Sequence, residues 1–294
     1  MEDFDIIASE AILNVKFSVI GFIAGLTPVP YAIINYYDQW ILSLIVGAIL
    51  PASAGKLLFP KHFDVFWRAV LIGIGVSFGA ILVLAPEFEL YRPFGAYFVI
   101  LFTFHYFEFA VTGLTNPSNL STDSYLLNHS VQYWIAAIAS WLEFLIELYF
   151  FPSYKTSQLI LWTGVLICIV FDVLRKVAMF HAGVSFSHIV QSSKREDHKL
   201  VTNGVFAYFR HPSYVGWFYW SLGTQVILCN PICFALYAYV SWLFFNERVY
   251  LEEYSLLQFF GSAYHKYQRQ VPVGIPFVQG FTIDEFANNI TVPN

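Results

Sequence analysis

Apolar residues in this chain come in long blocks separated by short polar breaks. A helix that crosses a bilayer needs about 20 apolar residues at roughly 1.5 Å rise each. Residues 12–27, 40–59, 65–85, 94–114, 130–151 and 159–179 approach or meet that length, and each predicts a spanning helix. The first block is short and runs into Pro28 and Pro30, which predicts a tilted or interfacial course. Residues 191–214 then form the longest polar interruption. Two shorter apolar runs follow, 215–229 and 232–245, broken by Asn230-Pro231. An Asn-Pro pair reverses a chain, so these two runs predict a helical hairpin. The expected architecture is an all-α polytopic membrane protein with about eight spans. Residues 1–179 carry the N-terminal helices. Residues 180–294 carry a pocket-forming segment, the hairpin and a tail whose Gly, Pro and Tyr spacing reads as an ordered cap.

Composition supports this reading. Hydrophobic residues make up 57% of the chain and charged residues 12%, against about 25% charged in soluble domains. A net charge of −5 points away from nucleic acid. The three cysteines sit inside apolar runs with no CxxC, which argues against a disulfide frame or a zinc site. The acidic start, MEDFDIIASE, lacks a basic n-region, so no cleavable signal peptide is expected.

Orientation follows from Lys and Arg. With the 191–214 stretch in the cytosol, only Arg92 and Lys155 of the fifteen basic residues fall on the far side. The sequons at Asn119, Asn128 and Asn289 then lie in the cytosol, and no N-glycosylation is expected.

Polar side chains at membrane depth are costly. His105 and Glu108, Glu143 and Glu147, and Asp172 and Arg175 each share a helix face. Pairing within the bundle is the ordinary explanation, a polar cavity lining the functional one. Two acidic pairs with no basic partner do not resemble an ion relay. Gly21-x-x-x-Gly25 and Gly75-x-x-x-Gly79 read as close helix packing, not nucleotide loops.

Chemistry concentrates in two polar islands. His198, Lys199, Leu200 and Val201 before Asn203-Gly204 predict an extended segment and a turn, with backbone groups able to edge a planar base. Phe206, Tyr208 and Phe209 offer faces for stacking or for an interfacial belt. Pro212 after Arg210-His211 marks a helix start, a seat for a carboxylate or phosphate. In the second island Arg248 and Glu252 stand one turn apart, as a surface pair or as ligand-binding groups.

The strings LVTNGVFAYFRHPSY, RHPSYVGWFYW and FGSAYHKYQRQVPVGIP, with the paired acids Glu252-Glu253, resemble the isoprenylcysteine carboxyl methyltransferases. The resemblance runs over residues 180–277, and the order of spans agrees before that. The HPxY element and paired acids alone are shared with phospholipid methyltransferases and some sterol reductases. The resemblance implies methyl transfer from S-adenosylmethionine to the C-terminal carboxylate of prenylated cysteine in processed CaaX proteins such as small GTPases. It implies that Gln191, His198, Lys199, Leu200, Val201, Phe206, His211, Pro212, Ser213, Tyr214 and Glu252 line the cofactor pocket. Arg248 is implied to hold the substrate carboxylate. Phe206 stands where relatives often carry tyrosine, so stacking is expected there without a hydroxyl contact. The family also implies the endoplasmic reticulum membrane, with the active site facing the cytosol. The rival readings are a phospholipid N-methyltransferase, a nicotinamide-dependent reductase, which would show more basic residues, and a channel or transporter.

Overall fold

The computed structural model describes residues 2–127, 131–196 and 198–282. The sequons at Asn128 and Asn289 lie outside the described residues. All regular structure within them is helical. Among the described residues, six helical stretches are long and apolar enough to cross a membrane: Ile6–Ile34, Trp40–Leu58, Phe63–Leu84, Pro86–Thr115, Val131–Phe150 and Gln158–Ser185. They fall on the six long apolar blocks in the same order. The first differs in extent. Helix α1 covers Glu2–Gly25, and Pro28 opens a second short helix, α2 (Pro28–Ile34), instead of ending the course. The reason is that Ile6, Ile7, Ala8 and Ala11 extend the apolar run N-terminally past its acidic interruptions, and proline suits a first helical turn.

The chain divides into two compact units: Met1–Ile169 with Gly223–Phe234, and Val170–Leu222 with Ala235–Asn294. In the first unit, α3 (Trp40–Leu58), α4 (Phe63–Leu84) and α5 (Arg92–Thr115) follow α2. The glycine patterns are contact seams. A Cβ on Gly21 would strike the Phe66 carbonyl, and one on Gly79 would strike the Gly95 carbonyl. Backbones of α1 and α4, and of α4 and α5, therefore meet directly, which matters in lipid, where packing replaces the hydrophobic drive. Ile45, Ile49 and Leu57 of α3 face outward, as lipid-solvated positions do.

The polar residues at depth are paired, but with partners the sequence spacing did not indicate. His105 Nδ1 lies 2.9 Å from the Tyr125 carbonyl and its Nε2 2.9 Å from the Tyr133 hydroxyl. Glu147, in α6 (Val131–Phe150), pairs with Lys155 at 2.6 Å, in the short α7 (Pro152–Lys155). Glu143 accepts from the backbone N–H of Ile232 at 2.8 Å and of Cys233 at 2.6 Å. The expectation of no basic partner is thus corrected for Glu147.

The cause is the Asn-Pro hairpin. The end of α9 (Pro212–Leu228) leaves carbonyls unpaired, and the start of α10 (Pro231–Phe260) leaves N–H groups unpaired. The Lys155 ammonium donates to the carbonyls of Leu228 at 2.9 Å and Cys229 at 2.8 Å, and to Asn230 Oδ1 at 2.8 Å. Glu143 covers the N–H side. Substituting Lys155→Met leaves Glu147 and the hairpin carbonyls without their cation, at a cost on the order of 3–5 kcal/mol. The thermal midpoint of the detergent-solubilised protein should fall markedly. An unchanged midpoint would show that the clamp carries no stability.

Candidate active site

The second unit takes α8 (Gln158–Ala182) from Val170 onward, the irregular segment after it, the first part of α9, α10 from Ala235, and α11 (Ser262–Gln270) with its tail. Residues 198–203 have no regular structure, and a 3-10 turn spans Gly204–Ala207. The Arg210-His211 step is pinned to the tail by the Arg210 N–H donating to the Pro272 carbonyl at 2.8 Å. Pro212 then begins α9, as its fixed φ favours. The polar second island continues the apolar helix without a break, so Arg248 and Glu252 share a face of α10.

Glu253, named in the sequence only as one of the paired acids and given no role, is the hub of this unit. It is fully buried. Its Oε1 accepts from Arg210 Nε at 2.7 Å, His211 Nε2 at 3.0 Å and the Tyr264 hydroxyl at 3.0 Å. Its Oε2 accepts from Gln268 Nε2 at 2.9 Å. Burial pushes the Glu253 carboxyl up, but His211 and Arg210 outweigh burial and hold it below its ordinary value. Arg210 also donates to the carbonyls of Gln268, Val271 and Gln279, at 3.1, 2.6 and 2.9 Å. One guanidinium thereby ties the start of α9, the end of α11 and the tail. Gly280, at φ +80°, lies so close that a Cβ there would overlap the Glu253 carboxylate.

Next to this hub is a cavity of about 110 Å³ that opens to solvent. Ten of the eleven residues expected around a cofactor line it: His198, Lys199, Leu200, Val201, Phe206, His211, Pro212, Ser213, Tyr214 and Glu252. The eleventh, Gln191, is not in the wall. Its amide donates to Ser187 Oγ at 2.9 Å, and Ser187 is in the wall. Lys199 is itself exposed, and its backbone N–H donates to Ser185 Oγ at 3.1 Å. Of the aromatic trio, Phe206 alone lines the cavity. Tyr208 is 72% exposed, and Phe209 packs on the apolar cluster around Val215 and Val249.

Sequence reasoning missed Arg210, Leu256, Phe260, Tyr264 and Tyr267, which also line the cavity. The tyrosines had a signal, a Tyr-x-x-Tyr spacing that puts both rings on one side of α11. Tyr267 donates to the Phe206 carbonyl at 2.6 Å, so it also holds the 3-10 turn in place.

Arg248 lies outside the cavity wall but next to it. Its Nε donates to the Tyr214 hydroxyl at 3.2 Å and its Nη2 to the His188 carbonyl. Tyr214 in turn donates to Glu252 Oε2. Arg175 donates through Nη1 to Ser213 Oγ at 2.6 Å and lies 4.7 Å over the Trp217 ring, and Asp172 pairs with Lys176 at 3.0 Å. The i,i+4 spacing of Asp172 and Lys176 favours that pair.

The family model for isoprenylcysteine carboxyl methyltransferases matches residues 163–258, which contain most of this wall. The protein-S-isoprenylcysteine O-methyltransferase of Tribolium castaneum is 51% identical over 256 residues, covering 85% of this chain and 90% of that protein. The chain belongs to the isoprenylcysteine carboxyl methyltransferase family. The Homo sapiens protein-S-isoprenylcysteine O-methyltransferase is 48% identical over 225 residues, 76% of this chain and 78% of its own. A solved structure of a eukaryotic intramembrane Ras methyltransferase of this family superimposes with a TM-score of 0.87 at 43% identity. It covers 92% of this chain and 99% of its own. A family member with six membrane-length helices among its described residues is a membrane methyltransferase, and most of the cavity wall lies in the part that the family model matches.

Proposed function

We propose that the protein transfers a methyl group from S-adenosylmethionine to the C-terminal carboxylate of a prenylated cysteine in processed CaaX proteins, small GTPases among them. The cavity fits such a donor in kind. Phe206 offers a stacking face, backbone groups of 198–201 offer edges for a base, and the Glu252 carboxylate answers an ammonium. His211 and the start of α9 suit a carboxylate. The bound donor supplies an electrophilic methyl on a sulfonium sulfur.

Every other demand falls on the chain. The acceptor is a carboxylate, already ionised at neutral pH, so no residue has to remove a proton. What remains is to orient it and keep water out. Arg248 does the orienting: its guanidinium can grip a carboxylate bidentately, as an ammonium cannot. The observation that carries this reading is the placement of Arg248, one hydroxyl away from Glu252 and the cavity.

The prenyl chain accounts for a membrane enzyme, because moving it from bilayer to water costs about 0.8 kcal/mol per methylene. With α9 at 17 residues and α10 at 30, the hairpin adds two spans to make about eight. The site then faces the cytosol, in the endoplasmic reticulum, and Asn119 carries no glycan.

One assay tests the proposal. Purified protein receives methyl-labelled S-adenosylmethionine with either N-acetyl-S-farnesylcysteine or phosphatidylethanolamine. The label is expected as a base-labile ester on the farnesylcysteine alone. Label on the phospholipid amine would replace this reading with its nearest rival.

A further inference from the structure

Arg248 and Glu252 are opposite charges one helical turn apart. Such neighbours ordinarily pair, and a direct pair would occupy the groups that the proposed function requires for ligands. Here they do not pair. The Tyr214 hydroxyl, brought in from the first turn of α9, stands between them: it donates to Glu252 Oε2 and accepts from Arg248 Nε at 3.2 Å. The phenol is not free to turn away. Its ring lies parallel to the His211 imidazole, at 5.4 Å between centroids and 3° between planes, and packs on Phe245 at 5.4 Å. His211 is itself held by Glu253.

The guanidinium is fixed from its other side by the His188 carbonyl, which accepts from Nη2. These two bonds use the Nε edge and one Nη2 hydrogen. Neither bond uses Nη1, and one Nη1 hydrogen with the second Nη2 hydrogen makes an end-on edge that can bind a carboxylate bidentately. Glu252 likewise keeps Oε1 available, with His211 Nδ1 at 3.8 Å, beyond hydrogen-bond reach.

We infer that Tyr214 is a positioning residue whose hydroxyl separates Arg248 from Glu252, so that each keeps a free edge for a different ligand. The inference rests on the proposed role of Arg248 as the carboxylate grip. Without the hydroxyl, the two side chains close into a direct pair, and the grip is lost although no charge has been removed.

The test is competitive binding to the purified full-length protein, with N-acetyl-S-farnesylcysteine and its carboxamide as probes. The wild type should prefer the carboxylate by more than about tenfold. Tyr214→Phe should shrink that preference to about threefold or less, with the thermal midpoint unchanged because the ring packing remains. Removing the attraction should restore it: Tyr214→Phe combined with Glu252→Gln should again prefer the carboxylate by about tenfold. A purely structural role for Tyr214 would weaken both probes alike and show no restoration. A wild-type preference in Tyr214→Phe, or a loss that Glu252→Gln does not restore, overturns the separator role. Arg248→Ala reports on the underlying reading alone: if it keeps the carboxylate preference, the grip is wrong, whatever Tyr214 does.

Discussion

Replacing Arg248 with alanine lowers kcat/KM for N-acetyl-S-farnesylcysteine by on the order of a hundred- to a thousand-fold. The estimate follows from removing one partner of a charge-assisted contact in a half-buried setting. The loss should appear while binding of S-adenosylhomocysteine, measured by calorimetry, stays within about twofold, because Arg248 is not in the cavity wall. Arg248→Lys separates charge from shape. It keeps the cation and loses the planar fork, so it should recover part of the rate and not all of it. Folding is not at risk: Arg248 is only half-buried, and its partners are a hydroxyl and a backbone carbonyl. Wild-type turnover in Arg248→Ala would remove this residue from the mechanism.

Glu253→Gln has the second large effect, and it acts on the architecture. The substitution keeps the shape and removes the charge. It leaves the Arg210 guanidinium, whose side chain is 7% exposed, without its counterion. It also replaces an all-acceptor group with one that must place two N–H hydrogens among the donors of Arg210, His211, Tyr264 and Gln268. Breaking a buried pair of this kind costs on the order of 3–5 kcal/mol. Part of that is offset here, because Arg210 keeps three backbone carbonyls. The expected outcome is a loosened cap, seen as faster proteolysis within 262–282 and weaker S-adenosylhomocysteine binding, since His211 and Tyr264 both line the cavity. Protease resistance equal to wild type would deny Glu253 the role of hub.

The same residue sets an acid limit. Its carboxyl is held below the ordinary value in the folded protein. A depressed carboxyl contributes stability that is whole above its unfolded value and is lost as pH falls through the folded one. Acidification below the ordinary carboxylate range should therefore loosen the wild-type cap, while Glu253→Gln, already uncharged there, responds less.

The span pattern was legible from sequence for a physical reason. A bilayer offers no hydrogen bonds, so each crossing must be a helix with an apolar run of nearly fixed length. The Asn230-Pro231 reversal and the helix start at Pro212 were legible because proline acts through its own backbone. The composition of the cavity wall was largely legible too, since His198 to Val201 and His211 to Tyr214 are contiguous strings. The first helix was not, because its apolar residues are interrupted by acids that a helix tolerates and a hydropathy block does not.

By itself, the sequence determined the order of the six long apolar helices, the polar islands, and the kind of chemistry that an Arg-His doublet, a proline helix start and paired acids support. Only the tertiary structure decided which acid does what. Glu252 and Glu253 are adjacent letters, but successive helix residues point about 100° apart. One therefore meets Tyr214 and the cavity, the other Arg210 and the cap. Lys155 likewise became the partner of Glu147 and the hairpin carbonyls through packing, not spacing. Helix periodicity can place a side chain on a face, but what lies opposite that face is settled only when distant segments of the chain come together.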